Sequence, residues 1–572
     1  LSESRPWECY RIPAELFCVD VGGVCLEGDQ TLHGKEVDQD FQIKKKGPWS
    51  PLRQPVFRAL WIATLVSNIG TWMQSTAAAW LMASIAPNAI MVSMVQTAIS
   101  LPVFLLALPA GALADVIDRR RLILFTQGWM LFAALALGIL TVAGQTTPWL
   151  LLLLTLLLGL GTALNAPAWQ AIVPEMVDKE DIPSAVALNS ANFNVARSVG
   201  PALGGVIIGI AGFGTAFLIN AMTYVGVMLV LFNWHRTQKS SGLPAERIVG
   251  AIRTGFRYVS HASVMQAVLY RTLAFTVGAS ALMALLPLLA KRDLGLSSME
   301  YGLLVGSFGF GAVMGALVLP TVRRRVTVDT MVVLSTLLFA LVLSLLPLFR
   351  QYAVLCGLLV LGGASWLAIL SSFNSSVQTS VPSWVRGRAL AFYMLVFFGG
   401  MAAGSLLWGT VASLIGIHGT ILSSSVGLVI GLCFTYRFRL SGGELANVSP
   451  SGHWPVPTVL LEPRPEDGPV LVTIEYRIEP EKWHDFATAM KKLRSSRMRS
   501  GAMRWGLYVD TGNPCRHVES FLVESWVEHL RQHERITVED RQLESLVLSF
   551  HSRSRPLKIT HFLAKPLPPS KK

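Results

Sequence analysis

Between residues 56 and 440 the chain is a succession of apolar runs, separated by short connections that collect most of the charge. A hydrocarbon core of about 30 Å needs about 20 apolar residues per helix. The runs predict spans at 57–83, 89–114, 122–143, 149–172, 184–210, 213–233, 267–290, 301–322, 330–349, 352–379, 388–415 and 417–437, twelve helices in two sets of six. Over all 572 residues, 52% are hydrophobic and 15% charged. An ordinary soluble domain is about 25% charged, so the composition excludes one as the bulk of this chain.

The two sets are related. Gly111-Ala112-Leu113, followed after five residues by Arg119-Arg120-Arg121, recurs as Gly315-Ala316-Leu317 followed by Arg323-Arg324-Arg325. Gln170, Val173, Pro174 and Val177 recur at the same spacing as Gln378, Val381, Pro382 and Val385. Duplicated membrane halves of this size point to a transporter.

The formal charge of +13 reads as topology. Arg119 to Arg121, Arg236, Lys239, Arg247, Arg253, Arg257, Arg323 to Arg325, Arg386, Arg388, Arg437 and Arg439 fall in alternate connections or just after the last span. The opposite connections carry mainly Lys291, Arg292 and Arg350. Positive residues favour the cytoplasmic side, which predicts a multi-pass membrane protein with both termini inside. No basic and aromatic module for nucleic acid stands out.

The predicted organisation is 1–47, a disordered cytosolic tail or an artefact of where the frame was opened, since the chain begins at Leu1; 48–233 and 267–440, the two six-helix bundles; and 234–266, a cytosolic connection. A linker at 441–467, a cytosolic domain at 468–566 and a short tail at 567–572 follow. Residues 1–47 lack a signal-peptide pattern, and Cys9, Cys18 and Cys25 lack metal-ligand spacing. Cys356 and Cys433 lie in spans, where small-residue packing is expected. In the connection, residues 251–259 alternate apolar and basic positions, which fits either a helix on the inner membrane surface or a plain linker helix.

Six plus six helices, a central connection and Gly111-x-x-x-Asp115-x-x-x-Arg119-Arg120 between the second and third spans resemble the major facilitator superfamily. Asp118 stands where that family usually has Gly, and Val116 where it has a basic residue. Gly200-Pro201-x-x-Gly204-Gly205 resembles the fifth-helix motif of drug exporters, with Ala196 where a further Gly is common. The pattern over residues 50–440 is most similar to bacterial macrolide and enterobactin exporters. This resemblance implies export of a small organic molecule across the bacterial cytoplasmic membrane by alternating access, with proton antiport as the usual coupling.

The motif residues also have direct physical readings. Gly111 permits close helix approach, and Asp115 near a helix end can bind Arg or a neighbouring helix terminus, latching the inner ends. Leu319 replaces Asp115 in the second copy, so the latches are unequal. Pro201 bends its helix, and Gly204 and Gly205 are expected to pack against Gly399, Gly400 and Gly404 of the second half. Arg197 is the charge placed near the middle of a span, where burial costs roughly 3 kcal/mol or more unless it is paired or hydrated. It either attracts an anionic group or ties to Asn192, Asn194 or carbonyls. Asn68, Gln74, Gln96, Asn165, Asn220, Asn374 and Gln378 are further cavity candidates, each also readable as an interhelical bond. The spans offer no carboxylate for proton coupling beyond Asp115, and no Gly-x-x-x-x-Gly-Lys loop for ATP.

From residue 468 the chain turns charged and mixed. Alternation at 470–478 predicts a strand, followed by a helix near 480–496, strands near 503–511 and 517–526, a helical stretch near 527–549 and a strand near 557–564. This βαββαβ order predicts an α+β ferredoxin-like domain. Residues 523–533 make it similar to antibiotic-biosynthesis-monooxygenase-type domains. That resemblance implies roles for Trp526 and His533 and a homodimer, but the first strand offers Glu475 where the family has Asn. His529 and His533 share a helix face, expected to be solvated and not metal-bound. No cofactor or metal is expected. Three functions therefore stay open: a small-molecule exporter embedded in the bilayer, an exporter fused to a modifying enzyme, and a membrane sensor.

Overall fold

The computed structural model describes residues 47–234, 248–440, 447–455, 459, 463–552 and 556–565. Residues 1–46 of the expected tail at 1–47, with its three cysteines, and the segment 567–572 lie outside the described residues, as do the side chains of Ala112, Ala114, Asp115 and Val116.

The first half is α1 Pro55–Ile85, α2 Ala89–Val116, α3 Arg119–Val142, α4 Pro148–Met176, α5 Ile182–Ala211 and α6 Phe213–Asn233. The amphipathic helix α7 Ile248–His261 leads to α8 Ser263–Leu288, α9 Ser298–Arg323, α10 Val328–Leu345, α11 Tyr352–Ser380 and α12 Arg386–Thr435. Among the described residues, ten helices are long and apolar enough to cross a membrane. α1 is as long but carries Arg58, Asn68 and Gln74. α12 breaks at Gly416, whose φ of 79° and ψ of 169° no helix accommodates, so its 50 residues form two arms.

Side chains set the helix starts. Asn88, Asp118, Thr147 and Thr327 each accept a backbone N–H in the first turn, and Ser297 forms a capping box with Glu300. Pro148 at the start of α4 costs no hydrogen bond.

Four strands follow: β1 Val470–Arg477, β2 Arg504–Asp510, β3 Asn513–Val523 and β4 Lys558–Leu563, antiparallel in the order β2-β3-β1-β4. α13 Trp483–Ser500 joins β1 to β2. The single helical stretch expected between β3 and β4 is two helices, α14 Trp526–Arg535 and α15 Val538–Ser549. The split falls at Ile536 and Thr537, where Thr537 and Asp540 form a capping box. Val470, Val472, Ile474 and Tyr476 alternate into a core with Phe486, Leu493 and Phe521. Part of the expected linker belongs to this domain: Ser451 N–H donates to Ile536, and Val538 N–H to Ser449.

The domain docks on the bundle through α7. Arg257 donates to the Gly501 carbonyl at 2.8 Å, Arg253 pairs with Glu524 at 3.3 Å, and the Arg535 guanidinium lies 4.5 Å from the Trp384 ring centre. Tyr258 on α7 stacks edge-on against Trp384, and Gly255 sits against Arg388. α7 is therefore held between α12 and the domain; it is not a free linker. The bundle end carrying these contacts is the domain end, and the opposite one the far end.

Candidate transport site

Two glycine-lined seams join the halves. On α5 and α9 the backbones touch: a Cβ at Gly302 would lie 2.5 Å from the Pro201 oxygen, one at Gly205 2.5 Å from the Ser298 oxygen, and one at Gly309 2.6 Å from the Arg197 oxygen. The partners of Gly205 are thus on α9. Gly399, Gly400 and Gly404, expected there from the sequence, face Phe104 of α2 and Thr276 and Ser280 of α8. Gly200 and Gly204 seat α5 on Trp72 and Met73 of α1, inside the first half. In the second seam, Thr97 of α2 donates to the Ala402 carbonyl of α12 at 3.2 Å, and Ser93 packs on Gly409.

The far end is pinned as well. Trp80 of α1 stacks on Tyr301 of α9 with centroids 4.7 Å apart, and Lys291 lies 5.5 Å over the Trp80 ring while bonding Ser84. In the sequence, Lys291 reads only as a topology charge.

Beneath this closure stands Arg197, the sixteenth of the thirty residues of α5, at mid-depth. Its guanidinium carbon is 5.6 Å from the Trp72 ring, 5.0 Å from Phe308 and 5.6 Å from Trp366. Trp72 belongs to the first half, Phe308 and Trp366 to the second. Arg197 is half-buried, and among the described residues it makes no hydrogen bond or ion pair; it is not tied to Asn192 or Asn194. Aromatic rings continue from the collar toward the domain end through Phe397 and Tyr393 of α12.

The other candidates scatter. Asn68 donates to Asn192 at 3.0 Å, and Asn192 donates to the Trp61 carbonyl, pinning α1 to α5. Gln74 is buried and accepts from Asn220 on α6. Asn165 accepts from Thr126, Gln96 donates to Ser100, and Asn374 bonds Gln378 one turn along α11. Of these candidates, Arg197 is the one with side-chain contacts described in both halves.

Arg119 and Arg120 of the expected gating motif make their contacts within the first half. Arg119 pairs with Glu175 at 2.7 Å and donates to the Ala171 carbonyl, while Arg120 caps α6 through the Leu231 and Phe232 carbonyls. Among the described residues, a Cβ at Gly111 would meet nothing within 4 Å, so the tight contact expected there is not formed in this structure. The Asp115 side chain lies outside the described residues. A second embedded charge escaped the sequence reading: Arg271 of α8 is buried and pairs with Asp329 at 2.8 Å, which also accepts the Leu440 N–H.

Residues 46–567 match the family profile described as transmembrane secretion effector. The chain belongs to this family of major facilitator transporters. It is 27% identical to the staphyloferrin A transporter of Staphylococcus aureus over 384 residues, which cover 66% of this chain and 94% of that protein. It is 26% identical to the multidrug efflux pump Tap of Mycolicibacterium fortuitum, covering 67% and 96%. A bacterial homologue of the human lysosomal transporter Spinster, solved inward-facing and unoccupied, superposes with a TM-score of 0.54 at 13% identity, covering 69% of this chain and 98% of that one. These relatives are matched almost end to end, and about a third of this secretion effector has no counterpart in them.

The additional domain of the secretion effector has a filled interior. Arg497 and Glu519, 2% and 0% exposed, pair at 3.1 Å between α13 and the sheet. Glu519 also accepts from Tyr476 and Trp505, both at 2.9 Å; Arg497 reaches Glu544, which further accepts from His453 and Trp454. Burial alone would lower the Arg497 guanidinium, but Glu519 and Glu544 hold it above its ordinary range. Burial would raise Glu544, and Arg497 with its other donors brings it below the usual carboxylate value.

Trp526 is a core residue, 7% exposed, tilted against His529. His533 lies edge-on to Trp454, and its Nε2 is 3.3 Å from Nε2 of His529. The expected solvated face is wrong for His529, which is 1% exposed and also meets His561 of β4 at 4.8 Å between ring centres. Burial first, then the neighbouring rings, pushes His529 down to about 3 and His533 to about 4. Glu475, at the position where the resemblance calls for Asn, is taken up by Arg516 and Lys558.

Proposed function

We propose that this secretion effector is a twelve-span secondary transporter that exports small organic molecules across the bacterial cytoplasmic membrane by alternating access. The count takes α1 and both arms of α12 as spans. The observation that carries the reading is the Arg197 collar: a mid-depth site built from helices of both halves, under a seam closed at the far end. Arginine clusters at the domain end support placing that end and both termini in the cytoplasm. Efflux and siderophore transporters among its relatives support the class of cargo.

The added domain has the strand order of a ferredoxin-like sandwich, which supports that fold. Its Arg497-filled interior and its contacts with α7 favour a docked cytosolic module over an enzyme. The sheet face opposite α13 carries Leu471, Val518, Leu522 and the exposed Phe562, which supports pairing with a second copy.

The test is accumulation of toxic organic compounds and siderophores in an efflux-deficient bacterium, with and without the chain and a protonophore. Lower accumulation, abolished by the protonophore, is expected for proton-coupled export. Lower accumulation that resists the protonophore would retain export and remove proton coupling. Unchanged accumulation of every compound, with the protein present in the membrane, would overturn the exporter reading.

A further inference from the structure

The geometry points to a carboxylate-bearing organic anion as the cargo, bound through the Arg197 guanidinium inside the Trp72, Phe308 and Trp366 collar; the inference rests on the transport reading above.

Charge balance is the first argument. Burying a cation at mid-membrane is tolerated when it is paired or faces a water-filled cavity. Arg271, buried in a span among the described residues, has Asp329. For Arg197 the described residues supply no counterpart: α1, α3, α5, α6, α8, α11 and α12 contain no Asp or Glu, and Asp115, Glu175, Glu300 and Asp329 belong to helix ends by their positions in the chain. The charge at mid-depth is therefore uncompensated by sequence, whatever the conformation.

Donor accounting is the second. A guanidinium offers five N–H groups in a planar fork and accepts nothing. The π-faces around Arg197 stabilise its charge, yet a ring carbon offers no acceptor of ordinary strength. Among the described residues no oxygen reaches it, and the side chain is only half-buried. A carboxylate fits the vacant fork with two parallel hydrogen bonds, the geometry for which arginine surpasses lysine.

The third argument concerns the remainder of the cargo. Phe193 packs edge-on against Trp72 and is 49% exposed, and Phe397 carries the aromatic lining on from Trp366. Aromatic rings beside a single cation, with Phe193 exposed among them, suit a molecule with an apolar or aromatic body and one anionic group. A cationic drug would meet an unscreened like charge at the collar.

A matched series separates charge from shape: dansyl-glycine, an anion; dansyl-glycinamide, its neutral analogue; and dansyl-ethylenediamine, a cation. Fluorescence polarisation with the purified full chain in detergent is expected to show at least tenfold tighter binding of the anion than of the amide. Arg197→Gln should reduce that preference to twofold or less while leaving the amide's affinity in place. Arg197→Lys, which keeps charge but not the fork, should fall between. Thermal unfolding of each variant separates a lost preference from a lost fold.

Equal binding of anion and amide by the wild type, or an unchanged preference in Arg197→Gln, overturns the proposal. So does absence of anion binding at millimolar concentration. Export of the neutral or cationic probe from cells, without export of the anion, would sink the anion assignment and keep the transporter. If no probe and no other compound is exported, the transport reading itself fails.

Discussion

Lys291 of the second half donates a hydrogen bond to the Ser84 hydroxyl of the first, while its ammonium rests on the Trp80 ring. The contact crosses the seam at the far end and, with Trp80 stacked on Tyr301, exists only while that end is closed. Removing the ammonium should release the closure. A partly desolvated cation–π contact and a charge-assisted hydrogen bond together justify about 1–2 kcal/mol. Lys291→Met should thus shift the population toward far-end opening roughly 5–30-fold. Spin labels at Gln145→Cys and Arg350→Cys, with the six native cysteines replaced, report it by pulsed resonance distances. An unchanged distance distribution would rule out the latch.

Gly302 is where the seam is least forgiving. Its missing side chain would strike the Pro201 oxygen and the Gly205 backbone, neither of which can swing aside as a side-chain tip can. Gly302→Ala should force α5 and α9 apart and depopulate the far-closed state, with the halves still folded. Gly111→Ala, with open space around it, should leave the same distances unchanged. Export assays on the pair should show loss in the first and near wild-type flux in the second. Equal behaviour of the two variants would contradict the seam.

What the sequence made legible follows from how each signal is encoded. Membrane spans are written in composition over twenty residues, and the predicted 213–233 coincides with α6. The Gly200–Gly205 motif identified α5 as a packing helix, but a small-residue stripe carries no address for its partner. Sequence alone points it to Gly399–Gly404, whereas Gly205 meets Ser298 and Gly302, and Gly200 and Gly204 meet α1. Arg197 was visible because a lone cation in an apolar run is costly. Its collar was not, since Trp72, Phe308 and Trp366 come from three helices and look like ordinary apolar residues in each. Arg271 was missed because its partner Asp329 lies 58 positions away, at the start of another helix.

Glu519 and Arg497 test whether the added domain has room for chemistry. Both are buried, and each carboxylate oxygen of Glu519 has a donor. Breaking a buried pair by removing one charge costs about 3–5 kcal/mol, because the other is left uncompensated. Glu519→Leu should accordingly unfold the domain at a much lower temperature, with the membrane bundle's own transition little moved. Scanning fluorimetry of the full chain in detergent would resolve the two. A domain that keeps its unfolding temperature would mean the interior accommodates a vacancy, reopening it as a ligand site.

The histidine trio sets a pH dependence that the carboxylates do not. His529 is lowered to about 3 and His533 to about 4, and His561 is lowered by burial, against an unfolded value near 6.5. Below pH 6.5 the unfolded chain binds protons that the folded domain refuses. Stability is therefore full above that pH and falls as pH drops toward the folded values, by about 1.4 kcal/mol per pH unit for each histidine that stays neutral. Glu528, Asp540 and Glu544 are lowered too, but their unfolded values lie near 4, so their share is lost only below that. Between pH 7 and 5 the domain's unfolding temperature should thus decline through the histidines alone. His529→Phe should flatten that slope, and an unaltered slope in this variant would remove His529 from the linkage.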